Sequence, residues 1–231
     1  AGPVFLVPGI LMCLAAVAVA LFLRTPANLS ASKEPPKITA VLHERCVLSM
    51  IFPAMAHGAV KDNLSLWLPI LFIEMYQTDL TSVWFYILLM PAATLLGRIL
   101  FPPLYKACRG NEFAAACVSF IVCAAALVPF LSGTPPMALA AVLFAAVSVT
   151  ASMVNASFLS VYPVRYQEQN LVSSVAGMMD CATYIGSAVS SAAFGAVIAL
   201  FGFRTMLIIW FALSVLSAAT MRYVQRQAAL L

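Results

Sequence analysis

The sequence predicts an all-α integral membrane protein with seven transmembrane helices, the last six of which form one bundle. Composition is the first reason: of 231 residues, 64% are apolar and 9% are charged, and the mean hydropathy is +1.02. Soluble domains carry about a quarter of their residues as charged side chains, so this chain could not cover the surface of a soluble globule. The second reason is the spacing of the apolar runs, since about 20 apolar residues cross a bilayer. We therefore expect a lipid bilayer as a partner and no nucleic acid.

The first apolar run contains no charged residue and ends at Arg24, and a stretch rich in proline and charge follows it. The chain begins without Met, which we interpret as an internal start within a longer chain. The predicted spans are 3–23, 46–75, 81–101, 113–131, 136–160, 171–201 and 203–222. The corresponding segments are a transmembrane helix (1–24), a cytoplasmic linker (25–45), a six-helix bundle (46–222) and a cytoplasmic tail (223–231).

The basic residues predict the orientation of these spans. If the spans alternate, ten of the 12 Lys and Arg residues fall on one side, and the opposite connections after the second and fourth spans carry none. Lys and Arg mark the cytoplasmic side of a membrane protein, so we expect an external N-terminus and a cytoplasmic C-terminus. The ten residues are Arg24, Lys33, Lys37, Arg45, Arg98, Lys106, Arg109, Arg165, Arg222 and Arg226.

Charged residues near the middle of span 46–75 are the main functional candidates. Lys61 and Asp62 lie at mid-depth, where a charge costs about 2.5–3.5 kcal/mol on insertion scales. Because consecutive residues point about 100° apart on a helix, we expect that the two cannot simply neutralise each other. His57 shares a face with Lys61, and Gly58 and Pro69 loosen the helix. The pattern favours a water-filled cavity in which Lys61, His57 and Asp62 bind a substrate, the alternative being partners that only lock helices together.

Asp180 is the second isolated charge, about 13 Å into the span 171–201 at 1.5 Å per residue. Three roles are open for it: an ion pair with Lys61, a proton-coupling carboxylate, or a helix-end acid bonded to a loop. Asn155 and Tyr184 are further candidates for lining a substrate pathway. The small residues of 171–201, which include Gly177, Gly186 and Gly195, favour close helix packing.

No motif for catalysis, a metal or a cofactor is present. The six cysteines form no C-x-x-C pair, and no convergent histidine and acid set surrounds His43 or His57. The sequence therefore predicts no enzyme, no cofactor and no metal site. A retinal protein is excluded because the last span contains no lysine for a Schiff base.

One apolar helix, a charged linker, six helices and a basic tail together resemble the second half of a major facilitator superfamily transporter. Residues 57–69, HGAVKDNLSLWLP, are similar to the seventh helix of bacterial facilitators near the organophosphate:phosphate antiporter family. Residues 174–186, SVAGMMDCATYIG, followed by Phe201-Gly202, are similar to their eleventh helix. Gly97-Arg98 with Lys106 and Arg109 resembles the basic loop between helices eight and nine, although the acidic residue of that loop is missing.

The resemblance implies that this chain supplies helices six to twelve of a secondary active transporter in the bacterial inner membrane, working by alternating access with an N-terminal half outside this sequence. Phosphate-ester antiporters use arginines in the pocket, whereas the seventh helix here offers Lys61, so we expect a small organic anion as substrate. Asp180 has no counterpart in those antiporters. Symport and antiport both stay open. The alternatives are a non-transporting membrane scaffold and a seven-helix receptor-like protein.

Overall fold

The computed structural model describes residues 2–22 and 44–228, and all regular structure in these ranges is helical, which confirms the all-α prediction there. The predicted linker 25–45 lies almost entirely outside the described residues, as do the last three residues of the predicted tail 223–231. The α-helices, numbered in chain order, are α1 (Gly2–Phe22), α2 (Arg45–Tyr76), α3 (Leu80–Ala107), α4 (Glu112–Ser132), α5 (Met137–Ala156) and α6 (Val172–Ala228). A π-helical turn, Ser157–Val161, and a 3-10 turn, Tyr162–Tyr166, join α5 to α6.

Within the described residues, four helical segments are long and apolar enough to cross a membrane. They are Thr81–Ala107, Glu112–Ser132, Met137–Tyr166 and Val172–Ala228. Helix α2 is not among them because charged and polar side chains near its centre lower its hydropathy, and the described apolar part of α1 is the shorter segment Gly9–Val19. Seven membrane crossings therefore stay a prediction.

Helix α6 is interrupted at Gly202. Its 57 residues would extend about 85 Å at 1.5 Å per residue, far more than the roughly 30 Å hydrocarbon core. Gly202 has φ 77° and ψ 171°, a left-handed backbone conformation that glycine adopts readily because it lacks a Cβ atom. The break divides α6 into the arms 172–201 and 203–228, and it coincides with the predicted boundary between the last two spans.

Helices α2 to α6 pack together as one compact unit, and α1 belongs to a separate one. The bundle has two apolar clusters, each containing several fully buried aromatic residues. Cluster A surrounds Phe72, Phe144 and Trp210, and cluster B surrounds Met50, Phe113, Phe158 and Tyr162.

The two clusters follow each other along α2 and along α5. On α2, cluster B takes residues from 47 to 54 and cluster A takes residues from 60 to 72. On α5 the order is reversed, because cluster A takes residues from 140 to 147 and cluster B begins at Val154. The helices are therefore antiparallel, and the segments between the clusters, 55–59 of α2 and 148–153 of α5, lie at one level of the bundle.

An ion pair between a buried acid and a half-exposed arginine fixes the segment that follows α5. The carboxylate of Glu112, the first residue of α4, is paired with the Arg165 guanidinium of the 3-10 turn, although Glu112 is only 2% exposed. Arg165 also lies over the Phe113 ring at 4.9 Å, and Ser157 Oγ donates to the Glu112 carbonyl at 3.0 Å. These contacts hold the π-helical turn, which begins two residues after Asn155.

Candidate functional site

A cavity of about 120 Å³ opens among α2, α3 and α5. Its α2 wall residues lie within the stretch that belongs to cluster A, and Leu64 is a member of that cluster, so the cavity borders cluster A. Its walls are Lys61, Leu64 and Ser65 from α2, Thr94 and Arg98 from α3, and Ser148, Ala151, Ser152 and Asn155 from α5. The structure thus brings two of the predicted site residues, Lys61 and Asn155, to one cavity.

Lys61 is paired with its neighbour in sequence. Its Nζ atom lies 3.1 Å from Asp62 Oδ1, and the two side chains are about one-third exposed. The expectation that these residues could not neutralise each other was wrong, because the flexible four-carbon stem of lysine crosses the 100° between consecutive helix positions. The ammonium keeps two further N–H donors for other groups.

Lys61 also contacts Tyr184, a predicted site residue on α6. Its Nζ atom lies 5.9 Å from the centroid of the Tyr184 ring of α6, within the range of a cation–π interaction. Tyr184 is 59% exposed and is not part of the cavity wall. Lys61 therefore connects the cavity with the exposed surface of α6, and the position of its ammonium depends on both helices.

Arg98 is a site residue that the sequence interpretation missed. The sequence places Arg98 near the cytoplasmic connection that follows span 81–101, whereas α3 continues through Pro102 and Pro103 to Ala107 and so contains Arg98 well before its end. The preceding Gly97 lies against α5: a Cβ atom there would be 2.3 Å from the Val149 carbonyl oxygen. This close approach of the two helices places Arg98 on the cavity wall, and a glycine beside a lone arginine was the signal in the sequence.

The cavity wall offers at least one unused hydrogen-bonding group. Ser152 is 4% exposed, and its Oγ atom has no hydrogen-bond partner among the described residues. Thr94 and Ser148, by contrast, already interact with Met90, through its carbonyl and its sulfur. A buried hydroxyl without a partner costs free energy, and a ligand or a water in the cavity would supply the missing contact.

His57 does not lie on the wall of this cavity, which corrects its predicted placement. It is 2% exposed, and its ring packs edge-on against Phe158 at a centroid distance of 6.1 Å. The helix crossing explains the burial, since the adjacent Gly58 is pressed against the Thr183 backbone of α6. His57 Nε2 has no hydrogen-bond partner among the described residues.

Asp180 lies apart from Lys61 in the network of contacts. The described residues contain two ion pairs, Lys61–Asp62 and Arg165–Glu112, and Asp180 takes part in neither. Among the described residues the ammonium of Lys61 is therefore paired with Asp62 and not with Asp180. Asp180 is partly exposed on α6, one turn before Tyr184.

A buried amide fixes α2 against α6 beside the site. Asn63 is fully buried: its amide nitrogen donates to the Ala59 carbonyl and Ser190 Oγ, and its oxygen accepts from Trp67 Nε1 and Ser191 Oγ, all at 2.8–3.2 Å. Both the nitrogen and the oxygen of the Asn63 amide are fully hydrogen-bonded, so this network is a specific contact between α2 and α6. Asn63 therefore holds the turn of α2 that carries Lys61 and Asp62.

The described part of the chain is helical and apolar, and it brings two basic side chains to one cavity between three helices, which are features of a multi-pass membrane transporter. The family comparison agrees: the model of the Major Facilitator Superfamily matches residues 2–182, and the chain belongs to this family. Membership indicates a transporter of small molecules and not an enzyme. No curated protein matches the chain.

Proposed function

We propose that this chain is part of a secondary active transporter that binds a small organic anion between Lys61 and Arg98. The observation that carries the proposal is the meeting of these two cations, from different helices, at one cavity of about 120 Å³. Charges inside a membrane bundle are costly and commonly mark substrate pathways. Asp62 is paired with Lys61 without lining the cavity and offsets one of the two positive charges, so an anion would neutralise the other.

The other wall residues support the same chemistry. The Ser152 hydroxyl and the Asn155 amide can donate hydrogen bonds, and the planar guanidinium of Arg98 matches a carboxylate or phosphate in two-point contact. Tyr184, which contacts Lys61, and His57, which is buried behind it on α2, would hold the ammonium in place. The substrate would bind Lys61, Arg98, Ser152 and Asn155 directly.

Transport by alternating access requires a second bundle that moves against α2–α6 around the cavity. We propose that an N-terminal half of the same transporter provides it, that α1 is the sixth of twelve helices, and that 25–45 is the central cytoplasmic loop. The resemblance of 57–69 and 174–186 to organophosphate:phosphate antiporters supports this arrangement. The basic residues support a cytoplasmic C-terminus in a bacterial inner membrane.

Anion binding is tested by thermal unfolding of the purified full-length protein with a panel of sodium salts: acetate, lactate, phosphate, glycerol 3-phosphate and benzenesulfonate. At 100 times Kd a bound anion stabilises the folded protein by about 2.7 kcal/mol and so raises its Tm. Arg98→Gln should weaken that binding roughly 10-fold or more, because a hydrogen bond to a charged group is lost. Arg109→Gln, in the exposed loop after α3, is the matched control and should bind as the wild type does. An Arg98→Gln protein that responds like the wild type, or no response to any anion, would contradict the proposal and favour a non-transporting scaffold.

Asp180 is proposed as the coupling carboxylate, because it is a partly exposed acid on α6 that no cation neutralises within the described residues. In proteoliposomes with an imposed proton gradient, Asp180→Asn should lose accumulation of the anion found in the panel. It should still exchange labelled for unlabelled anion, since exchange needs no net proton movement. Glu168→Gln, an exposed acid before α6, is the control. Accumulation by Asp180→Asn at the wild-type level would exclude this role.

A further inference from the structure

The anion cavity continues into a second and more open space of about 390 Å³. Ser65, Thr94 and Arg98 belong to the walls of both. The second space, which we name the α3 groove, adds Met90, Pro91 and Leu95 to these shared residues. A ligand held at Arg98 would therefore have room to extend along α3.

The residues that α3 contributes follow one helical face. Met90, Thr94 and Arg98 are four residues apart, and Pro91 and Leu95 lie beside them, so the face runs about 12 Å from Arg98 to Met90. The charge is at one end of this face, and the side chains at the other end are apolar. Leu95 is 60% exposed and so is open to a ligand.

The charges around the cavity set the charge of the ligand. Lys61 and Arg98 are positive and Asp62 is negative, with Asp62 3.1 Å from Lys61. The balance is one positive charge, which a single negative charge neutralises. A second negative charge on the ligand would stay unpaired in a site that borders an apolar cluster, which is unfavourable.

We propose that the substrate is an organic monoanion with an apolar body, whose charged group binds at Lys61 and Arg98 and whose body lies along the α3 groove. Leu95 and Pro91 then select the body, and Asp62 selects against dianions. This inference rests on the proposed anion site and adds to it the chemical class of the substrate. Phosphate esters with two charges and small polar anions are the disfavoured ligands.

Sulfonates are suitable probes because they keep their charge at every working pH and do not cross the bilayer as neutral acids. Equilibrium binding to the purified full-length protein is measured for benzenesulfonate, methanesulfonate and 1,3-benzenedisulfonate. We expect the Kd of benzenesulfonate to be lower than that of methanesulfonate by roughly tenfold or more. One methylene group in an apolar pocket already gives about tenfold discrimination, and a phenyl ring buries more apolar surface than that. It should also bind more tightly than the disulfonate.

Variants separate the two parts of the proposal. Leu95→Asn should reduce the preference for benzenesulfonate over methanesulfonate, with methanesulfonate binding unchanged. Leu96→Asn, on the next position of α3 and outside both walls, should keep the preference. Asp62→Asn adds one positive charge to the cavity and should shift the preference toward the disulfonate.

Three contrary results would each overturn a different part of the proposal. Equal Kd values for benzenesulfonate and methanesulfonate, with both lost in Arg98→Gln, would overturn the apolar-body assignment and leave the anion site intact, with lipid or another helix on the groove. An unchanged ratio of monosulfonate to disulfonate binding in Asp62→Asn would overturn the charge assignment. No binding of any sulfonate, or binding that Arg98→Gln does not alter, would overturn both this inference and the proposed function.

Discussion

Replacing Lys61 with alanine is expected to reduce anion uptake by the full-length protein at least tenfold while its amount in the membrane stays the same. Two effects add. The substrate loses a charge-assisted hydrogen bond, worth about 1.5–3 kcal/mol. The Asp62 carboxylate, now without its partner at 3.1 Å, stays in the cavity and repels an anion. The measurement is initial uptake into proteoliposomes, normalised to the reconstituted protein.

Companion variants show whether charge is the cause. Lys61→Arg keeps the positive charge and should retain measurable uptake, and Lys61→Ala combined with Asp62→Asn should recover part of the loss because the repelling carboxylate is gone. Lys106→Ala, an exposed lysine near the end of α3, is the control. Wild-type uptake by Lys61→Ala would remove Lys61 from the site, whereas a double variant as inactive as the single one would show that repulsion by Asp62 is unimportant.

Replacing Gly186 with alanine is expected to destabilise the bundle by up to about 3 kcal/mol, the upper range for overpacking a tight contact. A Cβ atom at Gly186 would lie 2.1 Å from the Met55 carbonyl oxygen and 2.5 Å from the Met55 Cα. Backbone atoms of α2 cannot move away as the end of a side chain could, so the two helices must separate. The Tm of the purified protein should fall by roughly 6–12 °C.

Gly177 provides a control on the same helix. A Cβ atom there meets nothing within 4 Å, and alanine is the better helix former by about 1 kcal/mol, so Gly177→Ala should be neutral or stabilising. Gly58→Ala, whose Cβ would lie 1.9 Å from the Thr183 carbonyl oxygen, should resemble Gly186→Ala because it lies at the same crossing. Equal Tm values for Gly186→Ala and Gly177→Ala would show that the contact of α2 with α6 is looser than described.

Much of the fold follows from local properties of the sequence. Apolar run lengths set where most helices begin and end, and Gly202 marks the break in α6 because glycine tolerates its left-handed backbone conformation. Two features do not follow. Helix α3 continues through Pro102 and Pro103, where proline predicts an end, and α5 passes into a π-helical turn that no local pattern marks.

The residues of the candidate site were predictable only where their position in the sequence was sufficient. A lysine and an acid at mid-span are conspicuous in an apolar sequence, so Lys61 and Asp62 could be selected from their position alone. Arg98 could not, because its place on the cavity wall depends on the close approach of Gly97 to the Val149 backbone. His57 shows the opposite limit, since a histidine on the face of a predicted cavity residue is buried against Phe158 by a helix crossing that periodicity does not reveal.

The pairing of Lys61 with the very next residue has a consequence for the synthesis of the protein. A lone charge at the centre of a helix opposes its release from the translocon into lipid, by about 2.5–3.5 kcal/mol on insertion scales. Lys61 and Asp62 emerge from the ribosome together, so α2 carries its own counterion and has no net charge from this pair at any stage of insertion. Because the sequence predicts α2 as a membrane span, we expect this helix to enter the bilayer before α3 and Arg98 have been translated, so that the excess positive charge at the cavity arises only when the bundle closes.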